Sequence, residues 1–135
     1  MEIDKIRTAL KPIVKRFSLE LVVLYGSVAK KNTHSSSDLD IGVFASSPID
    51  FDQLVLEMMK SLKRDDIDVA DLRTAGPTLA FSIAKNGVSI FEKSSGRFGQ
   101  FCSLAARKYY DAEKFRRARR ELLKEYVKGQ THESH

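Results

Sequence analysis

LVVLYGSVAKKNTHSSSDLDIGVF, residues 21–44, decides the fold of this chain. An apolar run stands at each end, and between them Gly26-Ser27 is followed, after ten residues, by Asp38-Leu39-Asp40. The Val and Leu content of Leu19 to Tyr25 reads as a buried strand. Gly26 then permits a tight turn, and Ser27 offers a hydroxyl and a backbone N–H where a short helix over Val28 to Lys31 would begin. A strand that ends in Gly-Ser at a helix N-terminus makes an anion cradle. Asp38 to Phe44 reads as a second strand, whose alternation sends Asp38 and Asp40 to one face and Leu39 and Ile41 to the other. Two carboxylates held this close repel unless a cation stands between them, and oxygen-only ligands on a rigid strand suit Mg²⁺. Phosphates on one side and a carboxylate-bound metal on the other describe a site for a nucleoside triphosphate.

Gly26-Ser27, the ten-residue interval and Asp38-Leu39-Asp40 resemble the signature of the DNA polymerase beta type nucleotidyltransferases. The short chain is similar in particular to the minimal nucleotidyltransferases, the MntA-type antitoxins encoded beside HEPN toxins. The motif is fairly specific, because the spacing is combined with an apolar strand on each side. It covers only Leu21 to Phe44, and the likeness beyond it is looser. The resemblance implies an α/β fold: a polymerase-beta-type core with a short mixed sheet, helices packed on it and a C-terminal helical region.

At 135 residues the sequence reads as one domain. The nucleotidyltransferase core is expected over 1–96, a helical extension over 97–128 and an unordered tail over 129–135. No apolar run reaches membrane-spanning length, and the first ten residues lack the apolar segment of a signal peptide, so the expected location is cytoplasmic. Cys102 is the single cysteine and falls on the apolar face of a predicted helix, where a structural thiol is the ordinary reading. The net charge of +5 invites a nucleic-acid reading, but the basic residues crowd into Arg107 to Lys128. That cluster reads either as a solvated helix face or as a surface meeting an acidic partner or RNA.

Apolar spacing predicts a helix from Ile3 to Arg16, with Pro12 expected to kink or split it. Asp50 or Asp52 caps a helix reaching Leu62, in which Met58 and Met59 fill the core. A strand follows at Ile67-Asp68-Val69 and continues to Leu72, which puts Asp68 and Asp71 on opposite faces. Thr78 to Lys85 reads as a short helix, Val88 to Glu92 as a short strand, and the aromatics from Phe98 onward as a long helical region. Tyr109 and Tyr110 are read as core contacts.

By residue match, the resemblance assigns metal binding and catalysis to Asp38, Asp40 and Asp68, with Asp71 the fallback for the third carboxylate. It assigns nucleotide binding to Gly26, Ser27 and Lys30, whereas Lys31 departs from the small residue common in relatives and His34 is read as merely exposed. It implies two Mg²⁺ ions, ATP as substrate, release of pyrophosphate and transfer of AMP to a tyrosine hydroxyl of a HEPN ribonuclease toxin in a hetero-oligomeric complex. No membrane partner is expected, and direct nucleic-acid binding is the less favoured use of the basic region. A binding-only antitoxin, or a transferase acting on an RNA end or a small molecule, are the alternatives.

Overall fold

The structure, a computed structural model, describes residues 2–26 and 38–133, with the backbone alone for 131–133. Helix α1 (Ile3–Arg16) is followed by strands β1 (Leu19–Tyr25) and β2 (Leu39–Ala45). Then come α2 (Phe51–Leu62), β3 (Ile67–Asp71), α3 (Pro77–Asn86), β4 (Val88–Glu92) and α4 (Arg97–Glu133). The four strands form one mixed sheet in the order β3-β2-β1-β4. β1 runs antiparallel to both β2 and β4, while β2 and β3 run parallel because α2 carries the chain back between them.

Each face of the sheet buries a different helix pair. Leu19, Val22 and Leu24 of β1 and Leu39, Ile41 and Val43 of β2 pack against Ile6, Leu10 and Ile13 of α1 and Leu54, Met58 and Leu62 of α2. Leu21 and Val23 point the other way, into a smaller cluster with Leu72, with Ala80 and Ile83 of α3 and with Phe101 and Ala105 of α4. Leu19 and Val22 share a face although three residues apart, because the pairing with β2 shifts between Leu19 and Leu21. A bulge there absorbs the extra residue.

Local chemistry sets the ends of the helices. Asp50 caps α2 by accepting a hydrogen bond from the Gln53 N–H at 3.2 Å, and Lys63 ends it in the left-handed region at φ +54°. Pro77 occupies the first turn of α3, where its missing N–H costs nothing. The Glu92 carboxylate accepts from the Phe98 N–H at 2.7 Å at the start of α4.

Pro12 lies inside a single unbroken α1, so of the two outcomes expected there the split does not occur. α4 runs on to Glu133. Of the two tyrosines expected as core contacts, Tyr109 is half-buried but Tyr110 is 59% exposed, and every residue from Lys114 to Gln130 is exposed. The Cys102 thiol is half-buried against the Ala84 carbonyl at 3.7 Å, and burial followed by the Glu92 charge pushes its pKa up, which leaves it a protonated packing group. Among the described residues no helix is long and apolar enough to cross a membrane.

Candidate active site

The sheet register brings the acidic residues together. Asp40 stands opposite Tyr25 of β1 on one side and opposite Asp68 of β3 on the other. Register partners project from the same face of a sheet. Tyr25, Asp40 and Asp68 therefore form a row across three strands, on the face that carries α3 and α4. Asp38 lies one residue before β2, two before Asp40, and its charge acts on the Asp40 carboxylate.

Gly26 closes the row at the end of β1. Its φ of +76° is in the left-handed region, and its backbone lies so near Asp40 that a methyl group there would overlap Oδ2. The turn thus needs glycine for two reasons, conformation and space. Further along the same face Gly42 makes room in the same way for Leu72, whose Cδ2 would lie 2.8 Å from an added Cβ.

The electrostatics are those of an anionic site. Burial, then repulsion by Asp68 and Asp38, holds the Asp40 carboxyl above its ordinary range. Burial, then the charges of Asp40 and Asp68, pushes the Tyr25 hydroxyl up to about 12, so it remains a protonated donor at neutral pH. Arg64 feels Asp38, but its guanidinium is engaged by Asp66, with Nε at 2.5 Å and a second nitrogen at 2.6 Å. That bond to Asp66 raises Arg64 and lowers Asp66.

Among the described residues no group of three or more His, Cys, Asp or Glu side chains is arranged to hold a metal ion. The three aspartates share one face and one another's field without converging on a single point. As donors they nonetheless fit Mg²⁺: all are carboxylates, and a divalent ion would relieve the repulsion at Asp40.

Asp71 does not join this group. The strand alternation turns it to the opposite face from Asp68, and its Oδ1 accepts from the Arg73 N–H at 3.0 Å to close the turn after β3. Asp66 is spent on Arg64. Ser27, Lys30, Lys31 and His34 lie outside the described residues. Tyr25 is the participant that sequence reasoning missed. Its place follows only from the pairing of β1 with β2, which no residue pattern announces across so long an interval.

The chain is similar to known proteins in family and in fold. Residues 8–96 match the family described as polymerase beta, nucleotidyltransferase. The protein adenylyltransferase MntA of Shewanella oneidensis is 29% identical over 75 residues. The match takes in 54% of each protein, so the chain spans about half the length of the curated relative it matches. A solved toxin-antitoxin structure with AMP-PNP has a TM-score of 0.73 at 24% identity, covering 91% of this chain and 98% of that one. The tri-AMPylated Shewanella oneidensis HEPN toxin in complex with its MNT antitoxin gives 0.69 at 20% identity, with 90% and 98% covered. At these identities the likeness is one of fold.

Proposed function

Since the chain belongs to the polymerase beta nucleotidyltransferase family, we propose that it is an antitoxin that transfers AMP from ATP to a tyrosine hydroxyl of a cognate HEPN ribonuclease toxin. The observation that carries this reading is the alignment of Asp40 with Asp68 on adjacent strands, beside Asp38 and the Gly26 turn. The likeness to MntA and to solved toxin-antitoxin structures supports the choice of substrate and partner.

Asp38, Asp40 and Asp68 would hold two Mg²⁺ ions. Bound there, Mg²⁺ supplies neutralisation of phosphate charge and a lowered pKa for the acceptor hydroxyl. Gly26 and Ser27 would hold the triphosphate, aided by Lys30. The tyrosine oxygen attacks the α-phosphorus, the bond from that phosphorus to the bridging oxygen breaks, and pyrophosphate leaves. Asp68, exposed at the edge of the sheet, takes the hydroxyl proton. Tyr25 remains protonated beside Asp40. The cytoplasm, where ATP and a ribonuclease toxin meet, is the compartment of this reading.

Intact-mass spectrometry of the toxin after co-expression with this protein tests the proposal. One or more AMP increments that vanish with the Asp38→Asn, Asp40→Asn double variant are expected. A toxin that is neutralised without gaining mass would leave binding alone as the antitoxin's activity.

A further inference from the structure

α4 has 37 residues, which at about 1.5 Å per residue is a rod on the order of 55 Å. Its first turns seat Phe101 and Ala105 in the core, whereas everything from Lys114 to Gln130 is exposed. The exposed part is not uniformly polar. Phe115 is 70% exposed, Leu122 72% and Tyr126 64%.

These three continue a face already used by the fold. Leu104, Phe115, Leu122 and Tyr126 follow one another at intervals of eleven, seven and four residues, each close to a whole number of turns. Leu104 is itself 48% exposed and, with Phe44, Leu72, Arg97 and Lys108, lines a cavity of about 230 Å³. That cavity lies at the C-terminal ends of β2 and β3, whereas the aspartates lie at their N-terminal ends. An apolar stripe thus begins at a cavity on the body of the domain and runs out along the projecting helix, with no element among the described residues over it.

Charge says what could cover it. Between Arg107 and Lys128 stand nine Lys or Arg and four Asp or Glu, so this segment alone has the excess of five positive charges that the whole chain has. Arg116, Arg119 and Arg120 flank the stripe on one side; Arg116 is paired with Glu113, while Arg119 and Arg120 have no ion-pair partner among the described residues. A second copy packed on the stripe would bring together two segments that each carry the same excess of five positive charges. An acidic partner would meet both the stripe and the arginines.

We infer that the projecting half of α4 is the docking surface for the partner protein, and that it takes an amphipathic helix with an apolar face and an acidic flank. Such helices are recognised by anchors spaced as Phe115, Leu122 and Tyr126 are spaced. The cavity at Leu104 would then receive the end of the docked element, with Arg97 and Lys108 beside it. This inference rests on the reading of the chain as an antitoxin with a protein partner.

The test measures affinity of the full chain for its cognate toxin by calorimetry, comparing wild type with Leu122→Asp and with the Arg119→Glu, Arg120→Glu pair. AMP-PNP binding and thermal melting of each variant serve as controls, since all three positions are exposed and distant in sequence from the aspartates. A tenfold or greater loss of toxin affinity in both variants, with AMP-PNP binding kept, is the expected result. It would stand even if the toxin were never modified, in which case the adenylyltransferase reading fails and the docking surface survives. Undiminished toxin binding by both variants, or no complex with the wild type, overturns the inference. So does a wild-type dimer that Leu122→Asp dissociates, or binding of a single-stranded RNA probe that the arginine pair abolishes while toxin binding persists.

Discussion

Gly26 lies with its backbone against the carboxylate of Asp40, at the point where β1 leaves the sheet. The contact leaves no room for a side chain, and the φ of +76° would strain any L residue placed there. Gly26→Ala is expected to lose about 1–2 kcal/mol of stability in denaturant titration. By displacing Asp40 it should also cut AMP transfer by roughly 10²-fold. Gly99→Ala, in the first turns of α4 with nothing within 4 Å of the new methyl, is the control. It should gain roughly 0.5–1 kcal/mol and transfer AMP normally.

The register of β2 and β3 separates the two candidates for the third carboxylate. Asp68 aligns with Asp40, whereas Asp71 turns away and closes a local turn. Asp68→Asn is therefore expected to lower AMP incorporation into the toxin by roughly 10²- to 10⁴-fold. Asp71→Asn should keep the wild-type rate and, because the amide Oδ1 still accepts from the Arg73 N–H, change stability by no more than about 0.5 kcal/mol. A reversed pattern would move the third carboxylate to the other face of the sheet.

Pro12 sits on the exposed side of α1, where it cannot supply the hydrogen bond that helical residues normally donate to the fourth residue before them. The helix continues through it, anchored by Ile6, Leu10 and Ile13 in the core. Pro12→Ala restores the bond but loosens the unfolded chain, so the net gain should be roughly 1–2 kcal/mol by urea denaturation. A loss of stability would mean that the proline shapes how α1 meets the sheet.

Much of this was legible in the sequence where a residue pattern has a local cause. Val and Leu runs gave β1, the Asp-x-Asp alternation gave β2, Asp50 gave the start of α2, and the opposition of Asp68 and Asp71 followed from a period of two. What depends on partners chosen across the fold was not legible. Nothing in Val88 to Glu92 says that β4 joins β1 rather than β3, and Tyr25 meets Asp40 only because β1 pairs with β2. Helical spacing extended α4 correctly past Phe115, but spacing alone cannot tell a stripe buried by its own domain from one left for a partner.

The acidic row also makes stability depend on pH in a direction opposite to that of a salt-bridged carboxylate. Asp40 is raised above 3.8 in the folded state by burial and by its acidic neighbours, so the folded protein holds that proton longer than the unfolded chain does. Stability then falls as pH rises from the unfolded carboxylate value through the folded one, and the loss persists at neutral pH. Asp40→Asn removes the penalty. The variant should melt above wild type at pH 7, with the difference closing as pH falls below about 4. Mg²⁺ with AMP-PNP should close the same difference from the other side, by raising the melting temperature of wild type and leaving that of the Asp38→Asn, Asp40→Asn variant nearly unchanged. Equal shifts in both proteins would place the ion on the nucleotide alone, and the repulsion at Asp40 would then need another source of relief.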